Sequence, residues 1–480
     1  MSVILEHIRQ HKSNHIAVAD EQRALSYPEL FIEINQLAKD LQRIFSGKEI
    51  RVLVSGNNKV DFLLLVLALL ETNVEFLLLD PKSSEQEIDD ICNGIDINYY
   101  IFEAPEVDCV ETDAAAVVKT INARYHIKQI SANGIQPQPT KIYLTSSGST
   151  GKPKIFGFTQ EQLLQQFLNV AAALKCTQED ASLCPLTITH SHGLQISFPL
   201  LLNGGTVHYL APAHCKPAFI IHYLSQHKIT ILTGVPYQYN QMLHLDVSLK
   251  NPFPSLRLCL CGSAPMSKHL TDSFYKKFGV RLNQAYGLSE IGPVCFNVDV
   301  TDENYMSVGK VTSQIEYQIL DDNGVQILDE QEGELIVRAA FMSNGYINDS
   351  EATAASFKNG WLYTKDIVKQ DRNGNITILG RKSNFINVAG YKIYPVEIEK
   401  VLLSMDGDKE AVVVGLENEE RGQLIKAYVS AFVPMDAISI QNFCKLHLPK
   451  YKVPHVIQIE DELKQTSIHK VDLSNYNKGI

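Results

Sequence analysis

The stretch that decides the fold of this 480-residue sequence reads YLTSSGSTGKPK and occupies residues 143–154. It joins a short strand pattern to a loop of serine, threonine and glycine, with two lysines at its end. Glycines let backbone N–H groups converge on phosphate oxygens, hydroxyl groups add hydrogen-bond donors, and lysine neutralises the anion. The stretch therefore favours a phosphate-binding loop that follows a strand. A flexible surface turn of the same composition is the alternative at this point.

A Walker A loop is the first phosphate-binding loop to compare with this stretch. It requires a glycine six residues before the lysine of its Gly-Lys pair and a serine or threonine directly after that lysine. For Lys152 these two positions hold Ser146 and Pro153. The sequence therefore excludes a P-loop nucleotide triphosphatase.

On both sides of this loop, short β-rich runs alternate with longer helical patterns over much of residues 1–300. Such alternation predicts an α/β fold with a parallel sheet flanked by helices. From about residue 305 the pattern changes to short strands separated by turns, which predicts a β-barrel-like or antiparallel unit. We expect a large domain over 1–380, with two wound α/β subdomains and the β-barrel-like subdomain, and a small α+β domain over 381–480.

Composition excludes several classes of protein. A hydrophobic fraction of 45% with 20% charged residues allows a sizeable core and excludes disorder for most of the chain. The 43 basic and 54 acidic residues give a net charge of −11, which argues against nucleic acid as a partner.

The cysteines and the apolar segments indicate a cytoplasmic protein without a membrane span. The nine cysteines lack metal-binding spacing, and Cys259 and Cys261 lie in an apolar, strand-like run. The first residues contain no basic segment leading into an apolar run, so we expect no secretory signal. Residues 60–79 are apolar but interrupted, and we expect a buried helix followed by a buried strand there.

Four further motifs follow the loop in order. QAYGLSE at 284–290 offers Glu290 as a Mg²⁺ ligand and Tyr286 as a ring that stacks on a planar group. GWLYTKD at 360–366 ends in Asp366, which can accept hydrogen bonds from sugar hydroxyls. A Gly-Arg pair opens the segment 380–399, and Lys470 lies near the end of the sequence. Taken singly, these motifs also have structural explanations: the Tyr-Gly pair at 286–287 could be a packed turn, and Lys470 could be an exposed lysine.

The order and spacing of all five motifs resemble the ANL superfamily of adenylate-forming enzymes, which contains acyl- and aryl-CoA synthetases, peptide-synthetase adenylation domains and luciferases. The resemblance covers nearly the whole chain, and five ordered motifs are far more specific than one. It implies ATP-dependent formation of an acyl-adenylate with release of pyrophosphate, followed by transfer of the acyl group to a thiol. It also favours the phosphate-binding loop over the surface-turn alternative.

The resemblance implies a role for each matching residue. Glu290 would bind Mg²⁺, Ser289 would lie near the α-phosphate, and Asp366 and Arg381 would hold the ribose. Lys470 would bridge the substrate carboxylate and the α-phosphate. The loop around the β and γ phosphates would contain Thr145, Ser146, Ser147, Gly148, Ser149, Thr150, Gly151 and Lys154. The adenine slot would contain Gly262, Ser263, Ala264, Gln284, Ala285, Tyr286 and Gly287.

The small domain is mobile in this superfamily. It turns near Ser383 to present first Lys470 and then the Gly390 loop, which serves thiol transfer. Three residues depart from the usual pattern: Ser383 stands where Asp or Lys is usual, and Lys365 and His469 stand where glycine is usual. These departures leave open a nucleotide-binding protein with weak or lost catalysis.

The segment His190-Ser191-His192-Gly193-Leu194 resembles the superfamily's His-x-His-Gly-Leu segment, on the wall between the acyl pocket and the nucleotide. It adds His190 to the candidate catalytic residues, with a packed histidine as the equal alternative. No aspartate stands nearby to pair with a substrate ammonium, which disfavours an α-amino acid. Residues 233–236 are expected in the pocket wall and suggest an apolar or aromatic acid. The acyl acceptor is CoA or, alternatively, the phosphopantetheine arm of a carrier protein.

Overall fold

The computed structural model describes residues 2–476 except 46–48, 58, 104–116, 122–123, 132–134, 136–138, 147–152, 246–252, 265, 328–329, 383, 389–390, 406–407, 419–421, 432–433 and 465–474. Its α-helices are α1 Val3–Ile8, α2 Tyr27–Phe45, α3 Val60–Leu70, α4 Glu85–Gly94, α5 Gln160–Ala173, α6 Ser191–Leu202, α7 Pro217–Gln226, α8 Pro236–Leu243, α9 Lys268–Phe278, α10 Ser350–Ser356, α11 Pro395–Leu402 and α12 Ala437–His447.

The strands of the first 300 residues are β1 Ile16–Ala19, β2 Ala24–Ser26, β3 Arg51–Ser55, β4 Glu75–Leu79, β5 Tyr99–Glu103, β6 Val117–Ile121, β7 Tyr125–Gln129, β8 Ile142–Ser146, β9 Lys154–Phe158, β10 Ala181–Leu183, β11 Thr206–His208, β12 Ile231–Gly234, β13 Leu258–Cys261, β14 Asn283–Leu288 and β15 Gly292–Phe296. The later strands are β16 Lys310–Val311, β17 Glu316–Leu320, β18 Glu332–Arg338, β19 Phe357–Lys358, β20 Trp361–Gln370, β21 Ile376–Arg381, β22 Ile386–Val388, β23 Tyr391–Ile393, β24 Asp408–Asn418, β25 Gly422–Ala431 and β26 Val456–Glu460.

The first wound subdomain contains a seven-stranded sheet in the order β6-β7-β5-β3-β4-β8-β9. Its central strands β5, β3, β4 and β8 are parallel, and every residue of β4 is buried. The expected buried helix and strand over 60–79 are confirmed as α3 and β4. Parallel sheets are covered by helices on both faces, so their strands are apolar without alternation. In the described part of the chain, no helix is both long and apolar enough to cross a membrane.

The second wound subdomain contains a nine-stranded sheet in the order β16-β15-β14-β13-β12-β10-β11-β1-β2. The strands from β14 to β1 are parallel, and β1 pairs with β11 through Val18 and Val207. Cys259 and Cys261 lie in β13, which is buried along its whole length, as expected. The two subdomains share one hydrophobic core, in which Phe167 of α5 stacks on Phe198 of α6 at 4.8 Å.

Two smaller sheets complete the chain. Strands β17 to β21 form an antiparallel sheet in which β17 and β18 pair as the expected hairpin. Strands β22 to β26 pack with α11 and α12 around a core of their own, as expected for an α+β unit. The two units meet where the Lys400 ammonium donates to the Ile378 carbonyl at 3.1 Å and Tyr394 packs over Gly380.

Candidate active site

The candidate residues gather at the carboxyl ends of parallel strands from both wound subdomains. Asp80 follows β4, Thr145 and Ser146 end β8, and the loop of Gly262, Ser263 and Ala264 follows β13. In doubly wound sheets the ligand crevice lies at this edge. Two cavities of about 120 and 450 Å³ open here, and His192, Ser263 and Ser289 line both of them.

Both ends of the expected phosphate loop are described, and its centre is not. Ser146 pairs with Lys154 in the antiparallel ladder of β8 and β9, so these two residues lie side by side where the loop leaves one strand and enters the next. Ser147, Gly148, Ser149, Thr150 and Gly151 lie outside the described residues.

Tyr346 joins the end of this loop to the candidate metal ligand. The Lys154 ammonium lies 4.8 Å from the centre of the Tyr346 ring, close enough for a cation–π contact. The Tyr346 hydroxyl donates to Oε1 of Glu290 at 2.8 Å, and burial, with the Glu290 charge, raises the pKa of Tyr346. Sequence reasoning assigned no role to Tyr346.

Asp366 holds two of the expected nucleotide residues together. Adjacent pairing of β20 and β21 sets Asp366 opposite Arg381, whose Nε lies 2.7 Å from Oδ1. The Tyr286 hydroxyl donates to Oδ2 at 2.5 Å. Only 5% of the Asp366 side chain is exposed, compared with 54% for Arg381, so the guanidinium is the part of this group that faces solvent.

Lys365, next to Asp366, has a φ of 61°, which is the left-handed region. Glycine adopts that conformation without strain, whereas a side chain costs of the order of 1 kcal/mol or more there. The backbone conformation therefore accounts for the glycine that is usual at this position. The lysine keeps the conformation, because its carbonyl accepts a hydrogen bond from the Lys382 N–H at 2.6 Å.

His192 fixes the loop that follows β13. Its Nδ1 lies 3.0 Å from the Ser263 hydroxyl, and its Nε2 lies 2.7 Å from the Thr233 hydroxyl. Desolvation, with a smaller effect of His190, lowers the pKa of His192 to about 4, so the ring is neutral at pH 7. Ser263 has a φ of 67°, and the bond to His192 holds this strained residue in place.

His190 pairs with Asp80 on the wall of the larger cavity. The His190 Nε2 lies 2.9 Å from Oδ2 of Asp80, and both residues line this cavity together with Thr145. Burial raises the pKa of Asp80, but hydrogen bonds from His190 and from the Lys82 backbone outweigh it and leave this pKa below its usual value. Sequence reasoning gave Asp80 no role in the site and missed this pair.

The remaining expected residues differ in whether they line the two cavities. Ala285, Tyr286 and Gly287 line the smaller cavity, but Gln284 lines neither, and its side-chain nitrogen donates to the Tyr305 carbonyl at 2.9 Å. Of the expected wall residues 233–236, only Val235 is in the lining. Lys470, Gly390, Ser383 and His469 lie outside the described residues.

The sequence matches two family models in chain order. Residues 5–347 match the model of the AMP-binding enzyme, and residues 397–470 match that of the AMP-binding enzyme C-terminal domain. The chain belongs to the AMP-binding enzyme family. This membership confirms the sequence-based identification as an adenylate-forming enzyme, with the α/β fold expected from the motifs.

Curated relatives of this AMP-binding enzyme carry ligase names. It is 28% identical to the 2-succinylbenzoate–CoA ligase of Bacillus subtilis (strain 168), over 97% of this chain and 96% of the relative. It is also 28% identical to the long-chain-fatty-acid–CoA ligase of Escherichia coli O157:H7, over 75% of this chain and 65% of that relative. The expected enzyme class, an ATP-dependent acid–thiol ligase, is therefore confirmed.

Solved structures give the same fold. The o-succinylbenzoate CoA synthetase of Bacillus subtilis in complex with its acyl-adenylate intermediate superposes with a TM-score of 0.86 at 26% identity, over 99% of this chain and 98% of that chain. ATP-bound MatB from Rhodopseudomonas palustris has a TM-score of 0.86 at 22% identity, over 100% and 99% of the two chains. The second likeness is one of fold alone.

Proposed function

We propose that this AMP-binding enzyme is an acyl-CoA synthetase that activates a small carboxylic acid with ATP and transfers the acyl group to CoA. The observation that carries the proposal is the proximity of a Lys154–Tyr346–Glu290 group to a Tyr286–Asp366–Arg381 group. The Arg381 charge is close enough to Tyr346 to act on its pKa, and Tyr286 lines the smaller cavity. One group suits phosphates and a metal, and the other suits a nucleoside. The names of the curated relatives support CoA as the acceptor.

In the first half-reaction two anions, the acid's carboxylate and ATP, have to approach each other. Lys154 and the loop flanked by Thr145 and Ser146 would hold the β and γ phosphates, and Ser289 would lie near the α-phosphate. These donors reduce the repulsion between the carboxylate and the phosphate that it attacks.

Glu290 is our candidate for the Mg²⁺ ligand. Magnesium is bound in such sites by one or two carboxylates and the substrate phosphates, and the described residues contain no cluster of three or more metal-ligating side chains. A single carboxylate oriented by Tyr346 beside Lys154 fits that mode of binding. When bound, the ion would supply positive charge to the phosphate oxygens.

The nucleoside would occupy the space between the loop after β13 and the Asp366 group. Asp366 and Arg381 would bind the ribose hydroxyls, with the adenine between Gly262, Ser263 and Ala264 on one side and Ala285, Tyr286 and Gly287 on the other. The His192 bonds to Ser263 and Thr233 keep the first wall in place before the nucleotide arrives. Gln284 is the weakest member of this set, because its amide nitrogen already donates to the backbone.

The small domain and the wall of the larger cavity would together supply the groups that act on the reacting atoms. We assign Lys470 to the substrate carboxylate and α-phosphate, and the Gly390 loop to thiol transfer, with a domain boundary at residues 380 and 381 and a hinge at Ser383. His190, held by Asp80 on the wall of the larger cavity, is the side chain that would take the thiol proton.

A screen for pyrophosphate release tests the proposal. Purified enzyme is given ATP, Mg²⁺ and a panel of carboxylic acids, first without an acceptor and then with CoA or a phosphopantetheinylated carrier protein. We expect carboxylate-dependent release and a thioester with CoA. If a thioester forms only on the carrier protein, the carrier protein rather than CoA is the acceptor. ATP binding without carboxylate-dependent release of pyrophosphate would contradict the proposed synthetase activity.

A further inference from the structure

The surface of the small domain carries a stacked pair of exposed tyrosines. Tyr391 lies in β23, and Tyr451 lies in a single turn of 3₁₀ helix at Lys450–Lys452. Their ring centres are 4.6 Å apart and the rings are nearly parallel, with an interplanar angle of 23°. Tyr391 is nevertheless 56% exposed and Tyr451 is 39% exposed. Single exposed aromatic side chains are ordinary, but two that stack on each other at the surface form a platform for a planar ligand.

Ammonium groups accompany the Tyr451 ring. Lys450 and Lys452 are its neighbours in the chain, and the Lys452 ammonium lies 5.7 Å from the centre of the ring. Lys452 is paired with Glu397. Lys450 is exposed, and no carboxylate of the described residues pairs with it. An aromatic surface with an unpaired cation beside it suits a ligand that is both planar and anionic, which is the chemistry of a nucleotide.

Chain connectivity places this platform beside the loop that we propose for thiol transfer. Tyr391 is bonded directly to Gly390, and the pairing of β22 with β23 sets Val388 opposite Tyr391 at the base of that loop. A movement that brings Gly390 to the thiol therefore also brings Tyr391 and, through the stack, Tyr451. A ligand on the platform would accompany the acyl acceptor rather than ATP, whose nucleoside we place between the loop after β13 and the Asp366 group.

The chemistry of CoA fits a platform of this kind. CoA carries its thiol at the end of a flexible, uncharged arm, and its other end is an adenine nucleotide with phosphate groups. The arm can enter the crevice while the nucleotide stays at the surface. There an aromatic ring can stack on the adenine, and an ammonium can pair with a phosphate.

Resting on the proposed function, we infer that Tyr391, Tyr451 and Lys450 form the binding site for the adenine nucleotide of CoA. The two rings supply the stacking surface, and Lys450 pairs with a phosphate. The site serves the second half-reaction alone. It selects CoA over acceptors that have the same thiol arm but no nucleotide.

Pantetheine tests this inference because it keeps the thiol arm of CoA and lacks the nucleotide. The enzyme is given ATP, Mg²⁺ and the best acid from the pyrophosphate screen, and thioester formation is measured with each thiol. We expect kcat/KM to be higher for CoA than for pantetheine by about 10-fold or more. Equal kcat/KM for the two thiols would overturn this inference and leave the proposed function intact, whereas a thioester with neither thiol would overturn both.

Two variants locate the site. Tyr451→Ala removes a ring without altering the chain next to Gly390, and we expect KM for CoA to rise about 10-fold. Thioester formation with pantetheine, and pyrophosphate release without any thiol, should stay at the wild-type rates. Lys450→Gln should raise KM for CoA about 2- to 5-fold at low salt, and the difference should shrink at high salt.

Tyr275→Ala is the matched control. Tyr275, on α9 of the large domain, is 45% exposed and has the Arg281 guanidinium 4.3 Å from the centre of its ring. This variant also removes an exposed ring beside a cation, and it should keep the wild-type preference for CoA. An unchanged KM for CoA in Tyr451→Ala, or an equal loss with both thiols, would overturn the assignment.

Discussion

The Tyr346 hydroxyl donates a hydrogen bond to Oε1 of Glu290 across 2.8 Å, although 56 residues separate the two in the chain. The same ring carries the Lys154 ammonium on its face. One aromatic side chain therefore sets the distance between a cation at the end of the phosphate loop and the proposed metal ligand. Four predictions follow from this and from the other arrangements described above.

Tyr346→Phe keeps the ring beneath Lys154 and removes the hydrogen bond to Glu290. Hydrogen bonds to charged groups are worth about 1.5–3 kcal/mol, so we expect kcat/KM for ATP to fall about 10-fold or more and the Mg²⁺ requirement to rise. Pyrophosphate release measured over a series of Mg²⁺ concentrations checks this. Tyr317→Phe, which removes a hydroxyl bonded to Gln370 in the antiparallel sheet, is the control. An unchanged Mg²⁺ dependence would make the Tyr346 bond structural only.

Lys470→Ala removes the proposed bridge between the carboxylate and the α-phosphate. We expect adenylate formation to be abolished while transfer of the acyl group from a supplied acyl-adenylate to CoA continues, because the proposed role of this lysine is confined to the first half-reaction. The two half-reactions are assayed separately, by pyrophosphate release and by thioester formation. Adenylate formation at the wild-type rate would remove Lys470 from the mechanism.

Lys365→Gly relieves the left-handed backbone beside Asp366. We expect the free energy of unfolding to rise by up to about 1 kcal/mol, since the strain relieved exceeds the entropy that glycine adds to the unfolded chain. Lys369→Gly in the same strand, where φ is not left-handed, should instead lower stability by about 0.5–1 kcal/mol. Denaturant unfolding of both variants provides the comparison, and equal losses would show that Lys365 is unstrained.

His192 links stability to pH. Its pKa is about 4 in the folded protein and near 6.5 in an unfolded chain, so the unfolded state binds more protons between these values. The stability is fully present above about pH 6.5 and is lost as pH falls towards 4, by at most about 1.4 kcal/mol per pH unit for one group. His192→Gln should flatten this slope in denaturant titrations. Burial also lowers the pKa of His208 to about 4, so we expect this residue to cause the pH dependence of stability that remains in His192→Gln. A slope identical to wild type would contradict the prediction.

Much of the fold was predictable because its signals are local. Strand β4 is apolar at most positions because helices cover both faces of a parallel sheet, and α3 before it carries the same signal. The motif at 284–290 offered Glu290 and Tyr286 as candidates, and the structure joins Glu290 to Lys154 through Tyr346 and Tyr286 to Asp366.

The rest of the site depends on pairings that sequence periodicity does not encode. Tyr346 reaches Glu290 and Lys154 because its segment bridges to Phe156 of β9, and Asp80 reaches His190 across 110 residues. Gln195 donates to Gln166, whose own amide nitrogen donates to the Phe341 carbonyl, so this chain of contacts joins three distant segments. From the sequence, this region was noted only because it holds no aspartate that could pair with a substrate ammonium.

The pairing of β1 with β11 has a consequence for synthesis on the ribosome. Val18 lies beside Val207, so β1 gains its parallel neighbour only after nearly 190 more residues have been added. At about 5–20 residues per second this takes roughly 10–40 s. During that interval the nascent chain exposes apolar strands that belong to an unfinished sheet. Completion of this sheet is therefore a long-range step that can occur only late in synthesis.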